Sequence, residues 1–393
     1  MNPSTSGWIE KYLRDLENGV FPLLPLDELY KKLRAVGFIY GTSVAIVFPE
    51  IYTTSYSEEE RTKINLFSAL VSTYFETIES ASSKDCLAAL VEFYKYLDTK
   101  KSIFSFLNTI TSSKEEKLEK IIHTRIQTNE SLLKKNFSHL LTNALLFIDV
   151  LAFEHFLIHD KNPLQYASSF EETLTNTVFL ALNSKLHKDD YDKLLVKLFA
   201  SSVRYTRVSS TDEASFDQIQ FDEYIDDIEK KYIIDLTSLA VWNDTEVDQS
   251  EWSFLQALGK ELGVTGQSVS DSLRAVQLFV EQNKKNISFF NYSHPAYHFY
   301  QQTSRTVRFL ILRNKKRLIQ EISESKDLMI LLGQSTVRDL SSEEKQQVKQ
   351  QLLDICKSIP SLAIFILPGG SLLLPLLVKF IPQLLPSAFN ENK

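Results

Sequence analysis

Two pairs of histidines carry the spacing most suggestive of chemistry. His155 and His159 stand at i, i+4, and so do His294 and His298. On a helix that spacing puts two imidazoles on one face, where they could share a metal ion. A zinc site needs further ligands, and neither pair lies in an H-E-x-x-H motif or has a third ligand at a telling distance. Surface or packed histidines are the favoured reading of both pairs. Other catalytic patterns are missing: the chain has no G-x-S-x-G, no Walker A and no C-x-x-C. A phosphate-cradling loop needs glycine where backbone must approach the phosphate, and none of the ten glycines lies between Thr42 and Leu258. The expectation is a protein that is not an enzyme and binds no cofactor.

The same glycine-free interval describes the elements. It contains only Pro49 and Pro163 as helix breakers and is rich in Leu, Lys, Glu, Phe and Ser, so it reads as helix. Capping boxes mark helix starts at Ser57 with Glu60, Ser113 with Glu116, Ser169 with Glu172, Asp248 with Glu251 and Ser341 with Glu344. Leu26 to Leu33 reads as a short helix, and Val36 to Phe48, despite its Gly37-x-x-x-Gly41, as a buried core segment ending at Pro49. The run NALLFIDVLAFEHFLIH, Asn143–His159, is strongly apolar but holds Asp149, Glu154 and His155. Three ionisable groups make a membrane span costly, so a buried core helix is expected.

Charge divides the rest. The net charge of −7 argues against a general nucleic-acid binder, and no DNA partner is expected. Eight acids and no base lie between Asp212 and Glu229, which reads as an exposed linker. Against this, Arg305, Arg308, Arg313, Lys315, Lys316 and Arg317 gather on one predicted helix with Phe309, Leu310 and Leu312. Such a helix suits anionic headgroups or RNA phosphates. Two cysteines, Cys86 and Cys356, cannot form a disulfide framework and fit a reducing compartment. The opening MNPSTSGWIEKYL lacks the basic and apolar regions of a secretory signal. The fold expected is all-α, a multi-helical array with a proline-punctuated apolar C-terminal segment. Its parts read as an N-terminal helical domain at 1–205, an acidic linker at 206–230, a helical unit at 231–298 and a C-terminal region at 299–393.

Within the third part, Asn243–Glu251 reads NDTEVDQSE, an acidic turn before a helix carrying Phe254, Leu255, Leu258 and Leu262 and ended by Gly263. Ser268 or Ser270 is expected to cap the next helix, with Val269, Leu273, Val276 and Val280 inward. Residues 231–285 resemble the TerB-like helical domains, with Asp244, Val247 and Glu251 at the matching turn positions and Thr245 in place of the usual glycine. The resemblance would make Asp244 and Glu251 metal ligands. From the residues themselves, Asp244 orders a turn and Glu251 caps a helix.

The last 35 residues hold five of the eleven prolines, and from Ile359 to Ile381 the only charge is Lys379. That run is long enough for a bilayer core of about 30 Å, yet Leu367-Pro368-Gly369-Gly370 breaks it into shorter apolar pieces. Pro360, Pro368, Pro375, Lys379, Pro382, Leu385, Pro386 and Phe389 stand in the order found in the LETM family of mitochondrial inner-membrane proteins, and residues 300–390 resemble that family. The resemblance implies a membrane partner, through an inner leaflet or a single segment, together with ribosome binding and a role in membrane-protein biogenesis or ion homeostasis. It places the protein at a bacterial inner membrane, mostly cytoplasmic-facing, with a cytoplasmic location as the alternative. A cation/proton exchanger component and a soluble helical scaffold are the alternative functions. Family members carry an acid in mid-segment where this chain has Gly369, Gly370 and Ser371, which weakens exchange. The chain also stops soon after Phe389, short of the helices the family associates with ribosomes.

Overall fold

The computed structural model describes residues 1–51, 56–97, 113–126, 142–159, 162–184, 219, 221, 224, 226–242, 247–283, 311–312, 315–335 and 338–358. Among these there are thirteen α-helices and no strand, so the expected all-α class holds. They are α1 (Trp8–Glu17), α2 (Leu26–Ala35), α3 (Glu58–Thr77), α4 (Ser83–Leu97), α5 (Lys114–Ile126), α6 (Phe147–His159), α7 (Pro163–Asn183), α8 (Asp227–Val241), α9 (Gln249–Glu261), α10 (Gly266–Asn283), α11 (Lys315–Glu324), α12 (Lys326–Gln334) and α13 (Ser342–Ser358). The chain divides into two compact units, Met1–Asp192 with Val203–Pro295 and Lys193–Ser202 with Ala296–Lys393.

In the first unit α6 is the central helix. Every residue from Phe147 to Phe153 is buried, because α3, α7 and α4 pack on it from different sides. Phe147 lies edge-on between Tyr30 and Tyr232, each ring centroid 5.2 Å away. Burying a ring of this kind stabilises by roughly 1.5–3 kcal/mol. Among the described residues, Thr142–His159 is the one helical stretch apolar and long enough to cross a membrane, and 61% of it is buried inside the protein. Its Asp149 is fully buried and paired with Arg125 of α5, whose Nε donates to Oδ2 at 2.8 Å. The carboxylate has an interior partner, as a core helix requires.

Local capping chemistry explains most helix starts. Ser57 and Glu60 form the full box on α3, with bonds of 3.2 and 2.8 Å. Asp248 and Glu251 do so on α9, at 2.8 and 2.9 Å. On α5 the hydroxyl half of the Ser113–Glu116 pair is present, the Glu116 N–H donating to Ser113 Oγ at 3.2 Å. Ser169 caps nothing. It lies inside α7, which starts six residues earlier because Asn162 accepts the Leu164 N–H and Pro163 sits at the first helical position. α10 is capped by Thr265, which accepts from the Ser268 N–H at 3.2 Å, rather than by Ser268 or Ser270. Helix α1 borrows its cap from another helix: Glu119 of α5 accepts the N–H groups of Gly7 and Ile9 at 2.9 and 3.1 Å. Asp248→Ala is expected to cost about 1 kcal/mol, measurable as a lower urea midpoint.

The Val36–Phe48 segment is buried coil, with Phe38, Ile39, Tyr40, Ile46, Val47 and Phe48 all in the core. Gly37 turns it at φ +83°, and a Cβ there would meet both the Phe279 ring and the Thr42 carbonyl at 2.3 Å. Backbone conformation and space together demand glycine.

Among the described residues of the second unit, taken by itself, α11, α12 and α13 each pack on the other two. Leu318, Ile322, Leu328, Leu332, Val348 and Leu352 fill its interior. Ser325 caps α12 and its hydroxyl also donates to Gln351 Oε1 of α13 at 3.2 Å.

Candidate functional site

Helix α13 opens the part of the chain where the sequence carries its strongest functional signal. Ser341 and Glu344 form the expected box at its start, at 2.8 and 3.3 Å. Arg338 clamps Glu344 from the preceding turn with both arms, Nη1 to Oε2 at 2.8 Å and Nη2 to Oε1 at 2.6 Å, while Nη2 also donates to Gln334 Oε1 of α12 at 2.7 Å. The guanidinium hydrogen bond holds the Glu344 carboxyl down at about 2. The corner between α12 and α13 is thus fixed by charge-assisted bonds.

Along α13 the apolar positions Val348, Leu352, Ile355 and Cys356 face inward at helical spacing. Lys345, Gln346, Gln347, Lys349 and Gln350 are exposed. The result is a fixed helix with a polar, partly basic outer face. Burial pushes the Cys356 thiol up to about 12 and the Cys86 thiol higher still. Neither is a nucleophile at neutral pH.

The remaining sequence candidates fall as follows. Pro360, Pro368, Pro375, Lys379, Pro382, Leu385, Pro386 and Phe389 lie outside the described residues, as do Arg305, Arg308, Arg313 and Asp244. Lys315, Lys316 and Arg317 form the first turn of α11, and Lys315 is exposed. Glu251 is buried and its carboxylate accepts the Asp248 N–H at the start of α9, the capping role. His155 and His159 do share a face of α6, with rings 4.5 Å apart, and His155 also stacks on Tyr166. His294 and His298 lie outside the described residues. Among the described residues no group of three or more His, Cys, Asp or Glu side chains is placed to hold a metal.

Sequence reasoning missed a polar centre in the first unit. Asp235 of α8 is fully buried and accepts from the Tyr30 hydroxyl at 2.7 Å, from the Ser272 hydroxyl and from Arg34 Nη1 at 3.3 Å. Burial raises the Asp235 carboxyl above its ordinary value, with Arg34 pulling the other way. The same burial, with the carboxylate beside it, pushes the Tyr30 hydroxyl well up. One signal was available. A carboxylate inside the apolar run Tyr232-Ile233-Ile234-Asp235-Leu236 has to find donors somewhere in the fold.

With this geometry in place, comparison with protein families finds that residues 340–393 fit the family described as LETM1-like, RBD. The match begins at Leu340, one residue before the Ser341 cap, so α13 is its first element and the proline-punctuated run follows within it. The chain therefore carries a LETM1-like segment at its C-terminal end, over the C-terminal part of the 300–390 stretch that resembles that family. The TerB-like resemblance of residues 231–285 is not shown. No curated protein and no solved structure matches the chain.

Proposed function

We propose that this protein is a LETM-like adaptor that contacts ribosomes through its C-terminal unit at a membrane surface. The observation that carries the reading is the match of residues 340–393 to a ribosome-binding segment, which belongs to no enzymatic family. The fixed start of α13 and the exposed Lys345 and Lys349 give that segment a stable polar face. The basic residues Arg305 to Arg317 supply cations for RNA phosphates despite the overall negative charge. The apolar run Ile359–Ile381 is the membrane-associating part in this reading.

Ribosome co-sedimentation tests the proposal. The full-length protein is expected in the ribosomal pellet at low salt and to leave it as salt rises. Combined replacement of Arg313, Lys315, Lys316 and Arg317 by Gln is expected to weaken binding and flatten its salt dependence. A protein that stays entirely in the supernatant at low salt would sink the ribosome reading. Full recovery in the soluble fraction of cells would sink the membrane part.

A further inference from the structure

The last turn of α6 carries His155 and His159 side by side. Their ring centroids lie 4.5 Å apart and their planes are inclined at 52°, so the rings are not stacked face to face. A cation held about 2.1 Å from an imidazole nitrogen lies about 3.2 Å from that ring's centroid. Two such rings are about 4.5 Å apart when their nitrogens meet the metal at a right angle, and about 5.2 Å apart at the tetrahedral angle. The observed spacing is that of neighbouring corners of a square or an octahedron.

The two imidazoles are held differently. His155 is half-buried, and its ring lies nearly parallel to that of Tyr166 on α7, with centroids 4.5 Å apart and planes at 16°. The Tyr166 hydroxyl is in turn anchored on Glu229 of α8. A ligating imidazole needs a fixed ring, and it uses one nitrogen while the other serves a partner in the protein. His159 is exposed, and no group among the described residues hydrogen-bonds its nitrogens, so its ring can turn onto a bound cation. Two fields favour positive charge here. The carbonyl end of a helix attracts cations, and the pair spans the C-terminal turn of a 13-residue helix. Glu154, next to His155 in the chain, stands in the field of Asp226, Glu76 and Glu229. Among the described residues none of these carboxylates is ion-paired to a basic side chain. Lys230 acts on Glu229 and offsets only part of that charge.

From the spacing of the rings, the anchoring of one and the freedom of the other, we infer that His155 and His159 form a two-histidine site for a tetragonal divalent transition-metal ion, Cu(II) or Ni(II). Among the described residues no third His, Cys, Asp or Glu side chain is placed with them, so water fills the remaining positions. Right-angled corners suit Cu(II) and Ni(II) better than tetrahedral Zn(II). The two ligands come together only while the last turn of α6 is helical, so the metal binds the folded helix and stabilises it. This site lies in the first unit and does not depend on the ribosome reading.

The test is titration of the full-length protein with the chlorides of Cu(II), Ni(II) and Zn(II) in a non-coordinating buffer. The readouts are calorimetry, the thermal midpoint and, for Cu(II), electron paramagnetic resonance. Cu(II) is expected to bind with a spectrum that shows two imidazole nitrogens, to raise the midpoint, and to be held more tightly than Ni(II) or Zn(II). His159→Ala removes an exposed side chain and leaves the core untouched. It is expected to lower Cu(II) affinity at least about tenfold and to abolish the metal-dependent rise in midpoint. The double variant His294→Ala with His298→Ala removes the other i, i+4 pair, and is expected to keep the site that His159→Ala destroys. Native-like Cu(II) binding by His159→Ala, or a native spectrum without imidazole nitrogen, would overturn the inference. So would loss of the site in the His294 and His298 variant, or tighter binding of Zn(II) than of Cu(II).

Discussion

Replacing Arg125 by Ala is expected to destabilise the first unit by about 3–5 kcal/mol, the range for leaving a buried charge without its partner. Arg125 sits in the last turn of α5 and reaches Asp149 in the first turn of α6 with two nitrogens. Asp149 is fully buried and also accepts from the Tyr94 hydroxyl at 3.2 Å. Without the guanidinium, the fold must either hold an uncompensated carboxylate in its centre or open. Removing both charges is a different matter. The double variant Arg125→Met with Asp149→Leu is expected to recover most of the loss, since an apolar pair of similar volume avoids the desolvation of both ions. Urea unfolding followed by far-ultraviolet circular dichroism measures each step. A single-variant cost below about 1 kcal/mol would mean that Asp149 is solvated, and α6 would then need another account.

What the sequence disclosed follows the range of the interaction. Capping boxes at Ser57, Asp248 and Ser341 were legible because both partners lie within three residues. Ser169 misled because Asn162 and Pro163 form a stronger start just upstream, and a hydroxyl already inside a helix no longer has free N–H groups to cap. Thr265 caps ahead of Ser268 by the same kind of local competition. The ionisable groups in Asn143–His159 correctly pointed to a core helix. Their partners could not be read, since Arg125 lies on another helix. The Arg34–Asp235 contact spans 201 residues, and neither residue has a local pattern that announces it. Glu119 capping α1 from 112 residues away is of the same kind.

The C-terminal signal was legible for another reason. A register of prolines with one lysine among leucines is a pattern that packing alone would not select. It identified the segment that the family match covers, while residues 231–285 offered only three matching positions in one turn. The structure adds the start of that segment: α13, its box, and the Arg338 clamp that ties it to α12. Those are local devices of the kind sequence shows well, yet the Arg338 clamp is hidden because its partner Glu344 already completes a capping box with Ser341. Glu344 serves both.

The second large effect concerns pH. Glu154 lies on α6 among like charges, and burial first, then Asp226, Glu76 and Glu229, pushes its carboxyl up to about 7. Those neighbours are themselves held in place: Glu76 accepts the Leu26 N–H at 2.6 Å, and Glu229 accepts the Asp226 N–H at 3.2 Å and the Tyr166 hydroxyl. They cannot easily turn away. The unfolded chain releases the Glu154 proton near 4.5, whereas the folded protein keeps it until about 7. Between those values the native state binds more protons than the unfolded one, so stability falls as pH rises. The whole window is worth at most about 3.5 kcal/mol, at ~1.4 kcal/mol for each pH unit. Glu154→Gln removes the ionisation while keeping the shape. The variant is expected to match the native protein near pH 4.5 and to exceed it above pH 7 by up to that amount. Urea midpoints of the two proteins across this range check it, because titrating groups that do not feel Glu154 cancel in the difference. A gain of equal size at both ends would place the effect in packing, and a gain that grows toward acid would reverse the sign argued from burial and like charge.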